Sequence, residues 1–149
     1  MQYGYFDNEH KEYVITRPDT PTPWINYLGG GGFSGIISQT GGGLCFDGDP
    51  SYRRVTRYKF NSLPADRPGR YLYIRDMETG EYWSPTWQPV MKQLTHYECR
   101  HGLGYTVITG TYSDIKTTIT YYVPPQAGYE IWQVEMVNQS GRPRKLRLF

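Results

Sequence analysis

The chain has 149 residues and a formal net charge of +2, with 16 Lys and Arg against 14 Asp and Glu. That length suits one domain, able to bury about 70% of its unfolded surface without disulfide or metal staples. No run of one charge sign supplies the clustered basic face that nucleic acid or an anionic membrane needs. No apolar stretch reaches membrane-spanning length, and no signal-peptide core opens the chain, so a cytoplasmic protein is expected.

In chain order, Tyr13–Thr16 reads as an extended segment, and Pro18, Pro21 and Pro23 form a connector to Trp24–Leu28. Gly29–Gly32 and Gly41–Gly43 flank a short apolar strand, Phe33–Ile37. Tyr71–Arg75 alternates in strand fashion, and Asp76–Gly80 reads as its turn into Glu81–Ser84. In Ile115–Val123, Ile115, Thr117, Ile119, Tyr121 and Val123 share one face of a strand, which Pro124 and Pro125 stop because proline cannot donate to a ladder. Glu130–Val137 puts Trp132, Val134 and Met136 on one side. Asn138–Gly141 then reads as a hairpin loop, with Arg142–Phe149 as the returning strand and Leu146 and Leu148 inward. The arginines at 53, 54 and 57 and those of Arg142–Arg147 are expected on solvated strand faces. No window keeps a helical apolar period for three turns. Short strands at turn-punctuated spacing predict an all-β, antiparallel β-sandwich. Phe149 falls within a strand pattern, as expected of a domain cut from a longer polypeptide.

Fifteen Tyr, four Trp and five Phe make the chain 16% aromatic. Rings with polar tips suit a half-buried sheet, and they equally suit a sugar, whose C–H faces stack on rings while its hydroxyls need partners. Cys45 and Cys99 lie outside any CxxC pattern and are expected as reduced, packed thiols. Gly30, Gly32 and Gly35 spell GxGxxG, but no helix-opening sequence or later acidic residue follows, so a loop is expected rather than a nucleotide site. His96, Glu98 and Arg100 alternate onto one strand face with His101 on the other, and Glu98 and Arg100 read as a polar pair. No metal-ligand spacing is present. The carboxylates Asp47, Asp49, Asp66, Asp76, Glu98 and Asp114 form no evident acid/base pair, and no Ser-His-Asp or Cys-His set stands out. Trp83 and Trp87, in WSPTW, are either a sugar platform or core residues that anchor a loop.

YGYFDNEHKEYVITRPDTPTPWINYLG, RRVTRYKFNSLPADRPGRYLYIRD, YWSPTWQPV, ECRHGLGYT and YYVPPQ with EIWQVEMVNQS occur in this order along nearly the whole chain. Together they resemble the N-terminal region of glycoside hydrolase family 94, the cellobiose phosphorylases and their relatives. NSLPADRPGRYLY looks nearest to cellobiose phosphorylases, with the chitobiose and cellobionic acid types also similar. The resemblance implies a galactose-mutarotase-like supersandwich, here incomplete, preceding a helical linker and an (α/α)6 catalytic barrel absent from the chain. It implies inverting phosphorolysis of a β-linked disaccharide to α-glucose 1-phosphate, with inorganic phosphate as co-substrate and no cofactor. The family's proton donor and phosphate ligands lie in the barrel, so no catalytic residue is assigned here and the chain alone is expected to be inactive. What falls to this region is homodimer contact and loops that border the active site. Trp83, Trp87, Arg100 and His101 are the residues expected near a sugar or subunit boundary. Gly29–Gly32 is richer in glycine than the family pattern. The alternative is a free-standing carbohydrate-binding or oligomerisation module. A module of a cyclic β-glucan synthase shares the general plan with weaker matching segments.

Overall fold

A computed structural model describes residues 2–56 and 68–149. Every strand pair in it is antiparallel, and the described residues contain no helix. The strands are β1 (Gly4–Asp7), β2 (Glu12–Ile15), β3 (Ile25–Gly29), β4 (Phe33–Ser38), β5 (Gly43–Asp47) and β6 (Ile74–Asp76). There follow β7 (Tyr82–Trp83), β8 (His96–Gly102), β9 (Tyr105–Tyr112), β10 (Ile115–Tyr122), β11 (Ile131–Asn138) and β12 (Leu146–Leu148).

Six strands form the large sheet, in the order β1-β2-β8-β9-β10-β11. The other two sheets, β3-β4-β5 and β12-β6-β7, have three strands each. Period-2 alternation in β10 is complete: Ile115, Thr117, Ile119 and Tyr121 are buried while Lys116 is exposed. Register carries that face across the sheet, so Phe6, Tyr13, His101, Thr106, Tyr121 and Trp132 form one transverse inner row. Thr106 and Tyr121 in its middle are fully buried, whereas Phe6 and Trp132 at its ends are 76% and 43% exposed. The principal core joins Ile15, Cys99, Ile108, Ile119 and Tyr121 of this sheet to Leu28 and Ile37 of the β3-β4-β5 sheet. A smaller core of Ile74, Trp83 and Ile115 seats the third sheet.

An ion pair with almost no exposed surface ties the layers together. Arg70 donates through Nε to Glu130 Oε1 and through Nη2 to Glu130 Oε2 at 2.8 Å. Its remaining N–H groups reach the Ile36 carbonyl at 2.9 Å and the Leu44 carbonyl at 3.2 Å. The guanidinium fits because residue 35 is glycine, where a Cβ would lie 2.7 Å from Arg70 Nη2.

Several expected elements take a different form. Asn138–Gly141 does not close a hairpin: β12 pairs with β6, Arg147 opposite Arg75, and so belongs to another sheet. The cause is Arg144, which is buried rather than solvated and binds Asp76 Oδ2 at 2.5 Å and the Ser113 carbonyl at 2.9 Å. Leu146 packs against the smaller core, but Leu148 is 44% exposed. Of the 71–75 stretch only Ile74 and Arg75 are strand, within Ile74–Asp76. Trp132 and Val134 share the expected face yet remain partly open, because β11 is an edge strand. The glycines at 29–32 close the β3–β4 hairpin, with Gly29 and Gly31 at φ of 89° and 107°, and Gly35 sits inside β4. Arg53 and Arg54 are exposed as expected, while Arg57 and Asp66 lie outside the described residues.

Candidate functional site

The two tryptophans of WSPTW part company. Trp83, in β7, has no exposed surface and packs on Ile74, Ile115 and Tyr112, so no ligand can stack on it in this conformation. Trp87 comes four residues later in a loop and is half-buried, one part against the principal core and the rest lining surface grooves.

That loop is held tightly. Ser84 Oγ donates to the Leu72 carbonyl at 2.8 Å and lies 2.9 Å from Thr86 Oγ1. Thr86 Oγ1 in turn donates to the Gln88 carbonyl at 2.8 Å. Both hydroxyl residues are buried. Pro85 rests on β9 at Gly110, where a Cβ would lie 2.2 Å from the Pro85 carbonyl oxygen. So pinned, Trp87 adopts φ of 70°, a left-handed conformation rarely taken by a bulky residue, and Met91 adopts 59°. Gln88 is 5% exposed, and its Oε1 is buried without a hydrogen-bond partner. Across from the loop, Gln39 braces the proline-rich connector, donating through Nε2 to the Pro18 carbonyl at 3.0 Å and Thr20 Oγ1 at 2.6 Å. Its Oε1 accepts from the Trp24 amide at 2.9 Å. Trp87 thus stands between two grooves of about 240 and about 520 Å³, both also lined by Pro18 and Asp19.

Arg100 and His101 occupy opposite faces of β8, as alternation requires. On the outer face Arg100 binds Glu98 at 2.7 Å, Glu12 at 2.9 Å and Asp7 at 3.3 Å. The hydrogen bonds it donates to Glu98 and Glu12 push its already high pKa further up, so its charge is permanent. Tyr105 donates to Glu12 at 2.6 Å, and that bond raises the Tyr105 pKa. Asp7 also accepts from the His10 backbone and ring, which hold its carboxyl below the usual range. On the inner face His101 is mostly buried, and burial lowers its pKa, leaving the imidazole neutral near pH 7. Its Nε2 lies 3.0 Å from the Trp24 carbonyl, which can only accept, so Nε2 carries the proton and Nδ1 takes the Thr106 hydroxyl at 3.0 Å.

His101 also lines a cleft of about 760 Å³ bounded by Phe6, Tyr13, Trp24, Ile25 and Leu103. Phe6 meets Tyr13 edge to face at 4.8 Å, and Tyr13 meets Trp24 at a tilt, 5.7 Å between centroids. The larger Trp87 groove touches β8 at His96 and Tyr97, while this cleft touches it at His101 and Gly102. His101 lies five strand steps beyond His96, roughly 17 Å. The expected site residues therefore fall in three places: Trp83 in the core, Trp87 at one end of β8, and Arg100 with His101 at the other. No group of three or more His, Cys, Asp or Glu is placed to hold a metal among the described residues.

Sequence reasoning passed over Gln39, Gln88 and the Phe6–Tyr13–Trp24 cluster. Gln88 carried a faint signal as a polar residue beside WSPTW, but Gln39 and the aromatic cluster depend on contacts between distant segments.

The family model for the glycosyl hydrolase 94 supersandwich domain matches residues 11–149. The chain belongs to this family. The supersandwich is 50% identical over its whole length to an N,N'-diacetylchitobiose phosphorylase of Vibrio furnissii and 47% identical to one of Vibrio proteolyticus, spanning 19% of each. Over 99% of the chain it is 42% identical to a 3-O-beta-D-glucopyranosyl-beta-D-glucuronide phosphorylase of Paenibacillus borealis, spanning 18% of that protein. The supersandwich therefore matches less than a fifth of these relatives' length.

Proposed function

We propose that this supersandwich is the N-terminal, carbohydrate-associated part of a phosphorylase that cleaves a β-linked disaccharide with inorganic phosphate. The observation that carries the reading is the family match across residues 11–149, with phosphorylases as relatives at 50% and 47% identity. The names of those two relatives favour a chitobiose-type disaccharide. Inverting phosphorolysis to a sugar 1-phosphate needs one carboxylic acid on the leaving oxygen and an anion pocket for phosphate. Here Arg100 faces three carboxylates and Arg70 and Arg144 are committed to structure, which favours placing the acid and the phosphate ligands in another domain of the same polypeptide. A cytoplasmic homodimer goes with this reading, and Arg100, His101 and Trp87 are its residues near a sugar or subunit boundary.

The test replaces the matching stretch of the Vibrio furnissii relative with this chain. The chimera should release a sugar 1-phosphate from N,N'-diacetylchitobiose and phosphate, whereas the 149-residue chain alone should release none. A folded but inactive chimera, or turnover by the chain alone, would refute the proposal.

A further inference from the structure

We propose that the outer face of the β12-β6-β7 sheet, built around Arg75 and Arg147, is a docking surface for a carboxylate-bearing face of another domain of the same polypeptide. The choice of partner rests on the phosphorylase reading; the chemistry of the surface stands apart from it.

Register sets the two guanidinium groups side by side. Arg147 is directly opposite Arg75, one step of the ladder between the Tyr73–Phe149 and Met77–Lys145 backbone bonds. Directly opposite residues point the same way, with Cα atoms about 5.5 Å apart in a hydrogen-bonded pair. Alternation gives the same face to Lys145, Met77 and Tyr73, and Tyr82 of β7 lies opposite Arg75. The inner face of this sheet is already taken, since Ile74, Asp76 and Trp83 are buried.

The outer face carries positive charge without compensation. Arg75, Arg147 and Lys145 have no carboxylate partner among the described residues, whereas Arg53, Arg70, Lys92, Arg100 and Arg144 each have one. Like charges directly opposite one another destabilise a strand pair, so the sheet gains nothing from this pairing on its own. A carboxylate laid between the two guanidinium groups would relieve the repulsion and accept from both. The neighbours suit a protein partner better than a free anion. Met77 and Tyr82 are exposed beside the arginines, and Arg, Tyr and Met are types enriched at protein interfaces. Tyr73, Arg75 and Tyr82 also line a concavity of about 390 Å³ that can receive a side chain. The matched stretch is 19% of each Vibrio relative, so most of such a polypeptide is left to supply the partner, held close by its tether.

Thiol labelling at Met77→Cys, read by peptide mass spectrometry in the 149-residue chain and in the chimera, tests this. The new thiol should react freely in the chain alone and about tenfold or more slowly in the chimera, where the face is covered. Adding Arg75→Glu and Arg147→Glu together should restore fast labelling in the chimera. In the chain alone, Arg147→Glu puts an opposite charge beside Arg75 and should hold or raise the melting temperature, which separates loss of docking from loss of folding. Equal labelling of chain and chimera overturns the inference, and so does protection that survives the double charge reversal. An open face in an active chimera refutes this inference alone, and a protected, charge-sensitive face in an inactive chimera refutes only the phosphorylase reading.

Discussion

Replacing Glu130 with glutamine tests how the two layers are joined. Arg70 has no exposed surface and the Glu130 side chain is 4% exposed, so the pair has exchanged nearly all its hydration for mutual contact. In Glu130→Gln the guanidinium keeps the Ile36 and Leu44 carbonyls but loses its only counter-charge among the described residues. Breaking a buried pair from one side costs about 3–5 kcal/mol, because the remaining charge stays buried and uncompensated. For a domain this size, about 2–4 °C per kcal/mol converts that to a fall in melting temperature of roughly 6–20 °C. The double variant Arg70→Met/Glu130→Leu should recover most of the loss, since apolar groups of similar volume need no partner. Thermal unfolding followed by circular dichroism compares the wild type, Glu130→Gln, Arg70→Met and the double variant. A Glu130→Gln melting temperature within about 2 °C of wild type would refute the reasoning. So would a double variant no more stable than the singles.

Other consequences are sharp enough to check. Asp76 has its carboxyl lowered to about 2 by Arg144 and by the Thr79 and Glu78 backbone amides, against 3.8 unfolded. Its contribution is therefore complete above pH 3.8 and lost as pH falls towards 2, and Asp76→Asn should flatten acid unfolding in that window. Gly110→Ala would set a Cβ 2.2 Å from the Pro85 carbonyl oxygen, so the loop bearing Trp87 must lift. Denaturant unfolding should show a loss of about 1–3 kcal/mol, and an unchanged midpoint would contradict the close approach. Cys99 is fully buried, and burial raises its thiol pKa well above the usual value. A thiol reagent should label it only on unfolding, at a rate that follows denaturant; rapid native labelling would mean the principal core is open.

Wherever local alternation sufficed, the strands could be read directly. Ile115 to Tyr122 buries every second residue, and His96, Glu98 and Arg100 share one face with His101 on the other, because a pleated strand leaves no other choice. The Glu98–Arg100 pair followed from the same spacing. WSPTW could not be divided that way. Trp83 and Trp87 are alike in sequence, yet one ends in a two-stranded pairing under Tyr112 and the other in a loop whose course depends on buried hydroxyls and a glycine on β9.

The last strand shows the same division. Asn138–Gly141 carries turn chemistry, and turn chemistry states that the chain reverses without stating onto which neighbour it returns. That choice belongs to Arg144, whose guanidinium finds Asp76 and the Ser113 carbonyl and draws Leu146–Leu148 beside Ile74–Asp76. Strand character, face and family are properties of short runs and ordered motifs, and the order of residues is enough to specify them. Pairing partner, the burial of Arg70 and Arg144, and the orphan oxygen of Gln88 arise where segments tens of residues apart compete for the same space, and only assembled packing resolves that competition.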